Sequence, residues 1–121
     1  MLAEGVIVLV LSAIGYDQAK KEKVDSQIIN MHLGNIVMGS IMIVSGMYPS
    51  RMSLESIKTG GFFGLIVLIL SAIGYSKAKK TNVEGKAKNM HLGNLIIGAY
   101  LTGVNLLGGS AVSYYGYRGG F

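Results

Sequence analysis

The sequence predicts an all-α integral membrane protein, a four-helix bundle made of two tandem helical-hairpin repeats that run parallel in the membrane. Three observations predict it. Four apolar runs, at about residues 2–18, 28–48, 58–76 and 88–109, are separated by short polar connectors. The chain matches itself without gaps at a shift of 59 residues, Leu11-Ser12-Ala13-Ile14-Gly15-Tyr16 falling on Leu70-Ser71-Ala72-Ile73-Gly74-Tyr75. Half of the 121 residues are apolar and only 14% are charged, too little polar surface to cover a soluble core of this size.

The runs read in order. A helix needs about 17–25 residues to cross the hydrocarbon core at about 1.5 Å per residue, so the first run is marginal and the other three fit. Met1 leads almost at once into Val6–Leu11; the first helix then serves as its own targeting signal, or a presequence precedes this numbering. Pro49 after Tyr48 stops the second helix, and Gly108-Gly109 closes the fourth. No strict apolar–polar alternation is present, which argues against a transmembrane barrel. Repeat one covers about 1–58 and repeat two about 59–121, together one transmembrane domain of residues 1–121.

Two helices per repeat give both repeats the same orientation, related by a pseudo-two-fold axis along the membrane normal. The connectors with Lys20, Lys21 and Lys23, and with Lys77, Lys79 and Lys80, then share one face, which the positive-inside rule makes cytoplasmic or its equivalent, stromal or matrix. Both chain ends and the Arg51–Lys58 connector lie opposite. Tyr16 and Tyr75 suit the basic interface, and Tyr48, Tyr114, Tyr115 and Tyr117 the other. The net charge of +5 sits in these connectors and not on an amphipathic face, so nucleic acid is not expected as a partner; membrane lipids are.

With no cysteine, thiolate sites and disulfides are excluded. The carboxylates lie at helix ends or in connectors, and no nucleotide-binding loop or nucleophile motif occurs, so no enzymatic activity is expected. Attention falls on His32 and His91, the only histidines, at equivalent positions of helices two and four. Asn35 and Asn94 follow at i+3 and Gly39 and Gly98 at i+7, all on one face. Each face offers an imidazole, an orienting amide and a bare patch where a flat group could lie. Ionisable groups in spanning segments usually face protein, water or a ligand. His32 and His91 are therefore candidate axial ligands to a haem iron or a chlorophyll magnesium, with Asn35, Asn94, Gly39 and Gly98 completing a cofactor site. A haem shared by both rings needs both to face inward; a chlorophyll on each allows them to face outward. The plainer alternative takes Asn30 and Asn89 as N-caps. It places each histidine in the first turn at head-group level, bonded to a carbonyl or lipid phosphate with no cofactor. Ser12, Ser71, Ser40 and Ser45 read as packing serines, Met31 and Met90 as packing residues, and Thr102 and Asn105 as polar contacts between helices.

Met31-His32-Leu33-Gly34-Asn35 through Gly39-Ser40-Ile41-Met42, with Ala87-Lys88-Asn89-Met90-His91-Leu92-Gly93-Asn94, resembles the small four-helix membrane proteins of cyanobacteria and plastids grouped as domain of unknown function 4079. Lys88 stands where that family carries arginine, and the tryptophans usual near its C-terminus are absent. There is a further resemblance to the b561-type di-haem cytochromes, although two histidines hold at most one haem. The first resemblance implies a plastid thylakoid setting. There the chain would be an accessory photosystem subunit that binds chlorophyll and carotenoid and packs against core or antenna proteins. A single-haem b-type cytochrome and a cofactor-free structural subunit of a plastid or mitochondrial membrane complex stand as alternatives.

Overall fold

A computed structural model of the chain describes residues 2–47 and 54–104, the backbone alone over 54–60. It is all-helical: α1 Leu2–Glu22, α2 Ser26–Met47, α3 Leu54–Lys80 and α4 Lys86–Thr102. Tyr48, Pro49, Asn105, Gly108, Gly109 and the tyrosines of the C-terminal segment lie outside the described residues. α1 packs on α2 and α4, α3 packs on the same two, and α2 and α4 touch across the diagonal.

Three helices are long and apolar enough to cross a membrane, Leu2–Glu22, Ser26–Met47 and Gly61–Lys80. At about 1.5 Å per residue the 21 residues of α1 reach about 31 Å, close to a hydrocarbon core of about 30 Å. The first run, marginal by its apolar length, thus qualifies once the helix continues through Ala19–Glu22. α4, described as a helix over 17 residues, is the one that does not reach that length. All four helices outrun the apolar segments at the basic end, because Lys, Gln and Glu are good helix formers with stems that lie along an apolar surface. The opposite connector is shorter than the sequence suggests, since residues 54–58 already belong to α3.

The two hairpins turn in the same way. Lys23 and Asn82, 59 positions apart, both take the left-handed conformation, with φ of 54° and 58°. The next residue in each donates back across the helix end, Val24 N–H to Ala19 O (3.2 Å) and Val83 N–H to Ala78 O (2.8 Å). This is the Schellman closure, in which the residue after the left-handed one also makes an apolar contact with the last turn. Val24 and Val83 make that contact, against Ala19, Ile28, Ala78 and Ala87. The helices that follow start differently. Asp25 caps α2, its carboxylate accepting from Gln27 N–H at 2.8 Å. α4 starts from Gly85, whose φ of 81° favours glycine. Asn30 and Asn89 are therefore inside their helices and are not N-caps.

Burial runs opposite to that of a soluble bundle. Large apolar side chains such as Val37, Val44, Phe62 and Ile96 face outward and are exposed, while Ser12, His32, Asn35, Ser71, His91 and Asn94 are fully buried. An apolar core of Val8, Met38, Met42, Val67 and Leu101 fills the half of the bundle away from the lysines.

Candidate functional site

The buried polar residues form one layer, set by the antiparallel course of each hairpin. Ser12 and Gly15 ascend α1 three residues apart while His32 and Asn35 descend α2 with the same spacing. Gly15 therefore comes level with His32, and Ser12 with Asn35. Ser71, Gly74, His91 and Asn94 repeat the arrangement in the second hairpin.

At the centre the two imidazoles stack on each other, ring centroids 3.5 Å apart and planes 9° from parallel. Each ring reaches the other hairpin's backbone: His32 Nε2–H donates to Ala87 O at 2.8 Å, and His91 Nε2–H donates to Ile28 O at 3.1 Å. A carbonyl only accepts, so both rings carry their hydrogen on Nε2. Ile28 and Ala87 lie four residues before His32 and His91. Each carbonyl that closes the helical bond of one histidine's own backbone thus also receives the other histidine's ring. The outer ring faces rest on glycine. A Cβ added to Gly15 would overlap the His32 ring, and one added to Gly74 the His91 ring. The layer order across the bundle is Gly15, His32, His91, Gly74.

The amides join the hairpins a second time. Asn35 Nδ2 donates to Ser71 Oγ at 3.0 Å and Asn94 Nδ2 donates to Ser12 Oγ at 2.8 Å. All four residues are fully buried. His32 Nδ1, His91 Nδ1, Asn35 Oδ1 and Asn94 Oδ1 are buried acceptors without a hydrogen-bond partner among the described residues.

This geometry places the predicted site residues as follows. His32, His91, Asn35 and Asn94 come together, facing inward as a shared haem requires, yet a macrocycle does not fit them. The rings are already in van der Waals contact, their outer faces are closed by Gly15 and Gly74, and both Nε2 atoms are engaged. Fully buried rings cannot present an axial nitrogen to a chlorophyll on the outside of the bundle either. Each histidine bonds a carbonyl, as the head-group alternative has it, but the carbonyl belongs to the other hairpin, and the rings lie inside the bundle about one and a half turns into their helices. Gly39 and Gly98 do not flank the rings. A Cβ at Gly39 would stand 2.8 Å from Leu9 N, and one at Gly98 2.6 Å from Leu68 N. Both serve close backbone contact within a hairpin, not a cradle for a flat group. Among the described residues, no group of three or more His, Asp or Glu could hold a metal ion.

The sequence reading missed Ser12, Ser71, Gly15 and Gly74 as members of this layer, although Ser-x-x-Gly recurs in α1 and α3 at the spacing of His-x-x-Asn in α2 and α4.

The amide bonds carry a signed expectation. Ser71→Ala removes an acceptor and leaves Asn35 buried with its donor as well as its Oδ1 unpaired, which costs about 1–3 kcal/mol. Asn35→Leu removes donor and orphaned acceptor together at similar volume and is expected near neutral, within about 1 kcal/mol. Unfolding in mixed micelles with rising SDS measures both; a Ser71→Ala protein more stable than Asn35→Leu contradicts the bond. No protein-family model, curated protein or solved structure matches the chain.

Proposed function

We propose that this protein is a cofactor-free structural subunit of a membrane complex. Its two hairpins are joined by the His–Asn–Ser layer and its apolar perimeter is offered to lipid and to neighbouring subunits. The observation that carries this reading is the His32–His91 stack: both Nε2 atoms are spent on backbone carbonyls and both outer faces rest on glycine. The rings do the work of packing and cross-hairpin hydrogen bonding that a ligand-binding pair would leave undone. Lipid as the surrounding solvent is supported by the apolar exterior over a polar, glycine-lined interior. A polar group in hydrocarbon gains by finding a partner inside the bundle.

Accessory service in a photosystem draws on the resemblance alone, and its pigment-binding half meets the closed geometry of the rings. An absorbance spectrum of protein purified in mild detergent from its native membrane separates the readings. The structural role predicts no sharp α-band in the reduced-minus-oxidised difference and no stoichiometric chlorophyll or carotenoid absorption. A b-type band, or red absorption lost on replacing both histidines with Leu, overturns it.

A further inference from the structure

At the lysine-bearing end, α2 and α3 leave a groove lined by Gln27, Ala72, Ile73, Ser76, Lys77 and Lys80. Its walls change character with depth. Ala72 and Ile73 lie one to two helical turns farther from the connectors than Lys77 and Lys80, and Ile73 is exposed, so the lower part is apolar and the rim cationic. We propose that this groove binds the phosphate of an anionic phospholipid, with the head of one acyl chain along Ala72 and Ile73.

The comparison with the other hairpin makes the groove specific. A shift of 59 residues puts its counterpart between α4 and α1, at Lys86, Ala13, Ile14, Asp17, Gln18 and Lys21. The apolar floor is the same, Ala13-Ile14 against Ala72-Ile73, but the rim differs. Asp17 stands where Ser76 is, and it holds Lys21 at 3.1 Å. Glu22, where the other copy has Thr81, accepts from Gln18 at 2.9 Å. Among the described residues the acid within 4.0 Å of a groove lysine is Asp25, 3.9 Å from Lys77 with both groups more than a third exposed, a contact that an incoming phosphate can displace. Lys80 has no carboxylate within 4.0 Å among the described residues. Among the described residues Lys86 on the counterpart side has no carboxylate within 4.0 Å either, so what sets the α2–α3 groove apart is the pairing of Lys77 with Lys80 on one helix and Ser76 in place of Asp17; Ser76 and Gln27 add neutral donors at the same rim. The apolar floor on a candidate span selects a membrane lipid over a free anion, since a soluble phosphate makes no use of Ala72 and Ile73. A juxtamembrane lysine contributes enough attraction that losing two weakens anionic-lipid binding about 20-fold or more.

The test uses the full chain in nanodiscs of phosphatidylcholine with or without phosphatidylglycerol, released and weighed by native mass spectrometry. The native chain is expected to retain one phosphatidylglycerol. The Lys77→Gln/Lys80→Gln chain and the Ser76→Asp chain, which copies Asp17, are expected to lose it, and Lys20→Gln/Lys21→Gln to keep it. Equal loss in the Lys20→Gln/Lys21→Gln chain would mean unspecific charge attraction and overturn the proposal. So would equal retention of phosphatidylcholine. In pure phosphatidylcholine, thermal stabilisation by inorganic phosphate that is lost with Lys77 and Lys80 would mark a free-anion site and overturn the lipid assignment. Ser76 is exposed, so its replacement leaves the fold intact, and unchanged helical circular dichroism verifies this.

Discussion

Replacing Gly39 or Gly98 with Ile is expected to destabilise the bundle by about 3 kcal/mol or more. At each position the absent Cβ would stand within 2.8 Å of backbone nitrogen on the neighbouring helix, Leu9 N or Leu68 N. A backbone cannot swing aside as a side-chain tip can, so the helices must separate. The opposing effect is small: relieving glycine of its conformational freedom in a helix returns at most about 1 kcal/mol. Separation also loosens the neighbouring Gly5 contact, where a Cβ would meet Met42 Cβ and Ile43 N at 2.9 Å. The measurement is the SDS fraction at which helix–helix contact is lost in mixed micelles, with Gly85→Ala expected to act at the α4 start without opening the α3–α4 seam. A Gly39→Ile protein as stable as the native one would show that α1 and α2 do not approach as described.

The second large effect concerns Gly15 and Gly74, and here the sign depends on the histidine. In the native chain Gly15→Ala drives a methyl group into the His32 ring. That ring cannot retreat, because His91 lies 3.5 Å behind it and Ala87 O holds its Nε2. Overpacking of this kind costs about 1–3 kcal/mol and outweighs the helix-propensity gain of about 1 kcal/mol. With His32 first reduced to Ala the obstacle is gone, and the same Gly15→Ala change is expected to stabilise by up to about 1 kcal/mol. The two changes are therefore coupled by more than about 1 kcal/mol, well above the few tenths usual between independent sites. Gly74→Ala with His91→Ala should behave alike. Additivity in either cycle contradicts the glycine–histidine stack.

Much of this was legible in the sequence. The apolar runs located the helices because spanning length leaves few other solutions, and the shift of 59 residues placed His32 and His91 at one level. That Asn35 and Asn94 share the histidine face followed from the i+3 spacing. What sequence spacing cannot supply is the partner across a helix interface. Asn35 finds Ser71, 36 residues away, and His32 finds the Ala87 carbonyl, 55 away. These pairings depend on how the hairpins rotate about their own axes. The same lack of rotational information led Gly39 and Gly98 to be read as a cradle for a flat group, when Gly15 and Gly74 meet the rings. The N-caps were misplaced because Asp25 and Gly85 sit outside the apolar runs. Helix extends to Ser26–Gln27 and Lys86–Ala87, which lie outside the apolar runs.

The most direct measurement is solid-state NMR of the full chain in lipid bilayers with only its two histidines labelled with ¹³C and ¹⁵N. Stacked imidazoles predict cross-peaks between the His32 and His91 rings. Nitrogen shifts should place the hydrogen of both on Nε2, each Nε2 also correlating with a carbonyl of the opposite hairpin. Two rings with no mutual contact, or a chain that stays out of the bilayer, would contradict a twin-hairpin membrane bundle closed by its histidines.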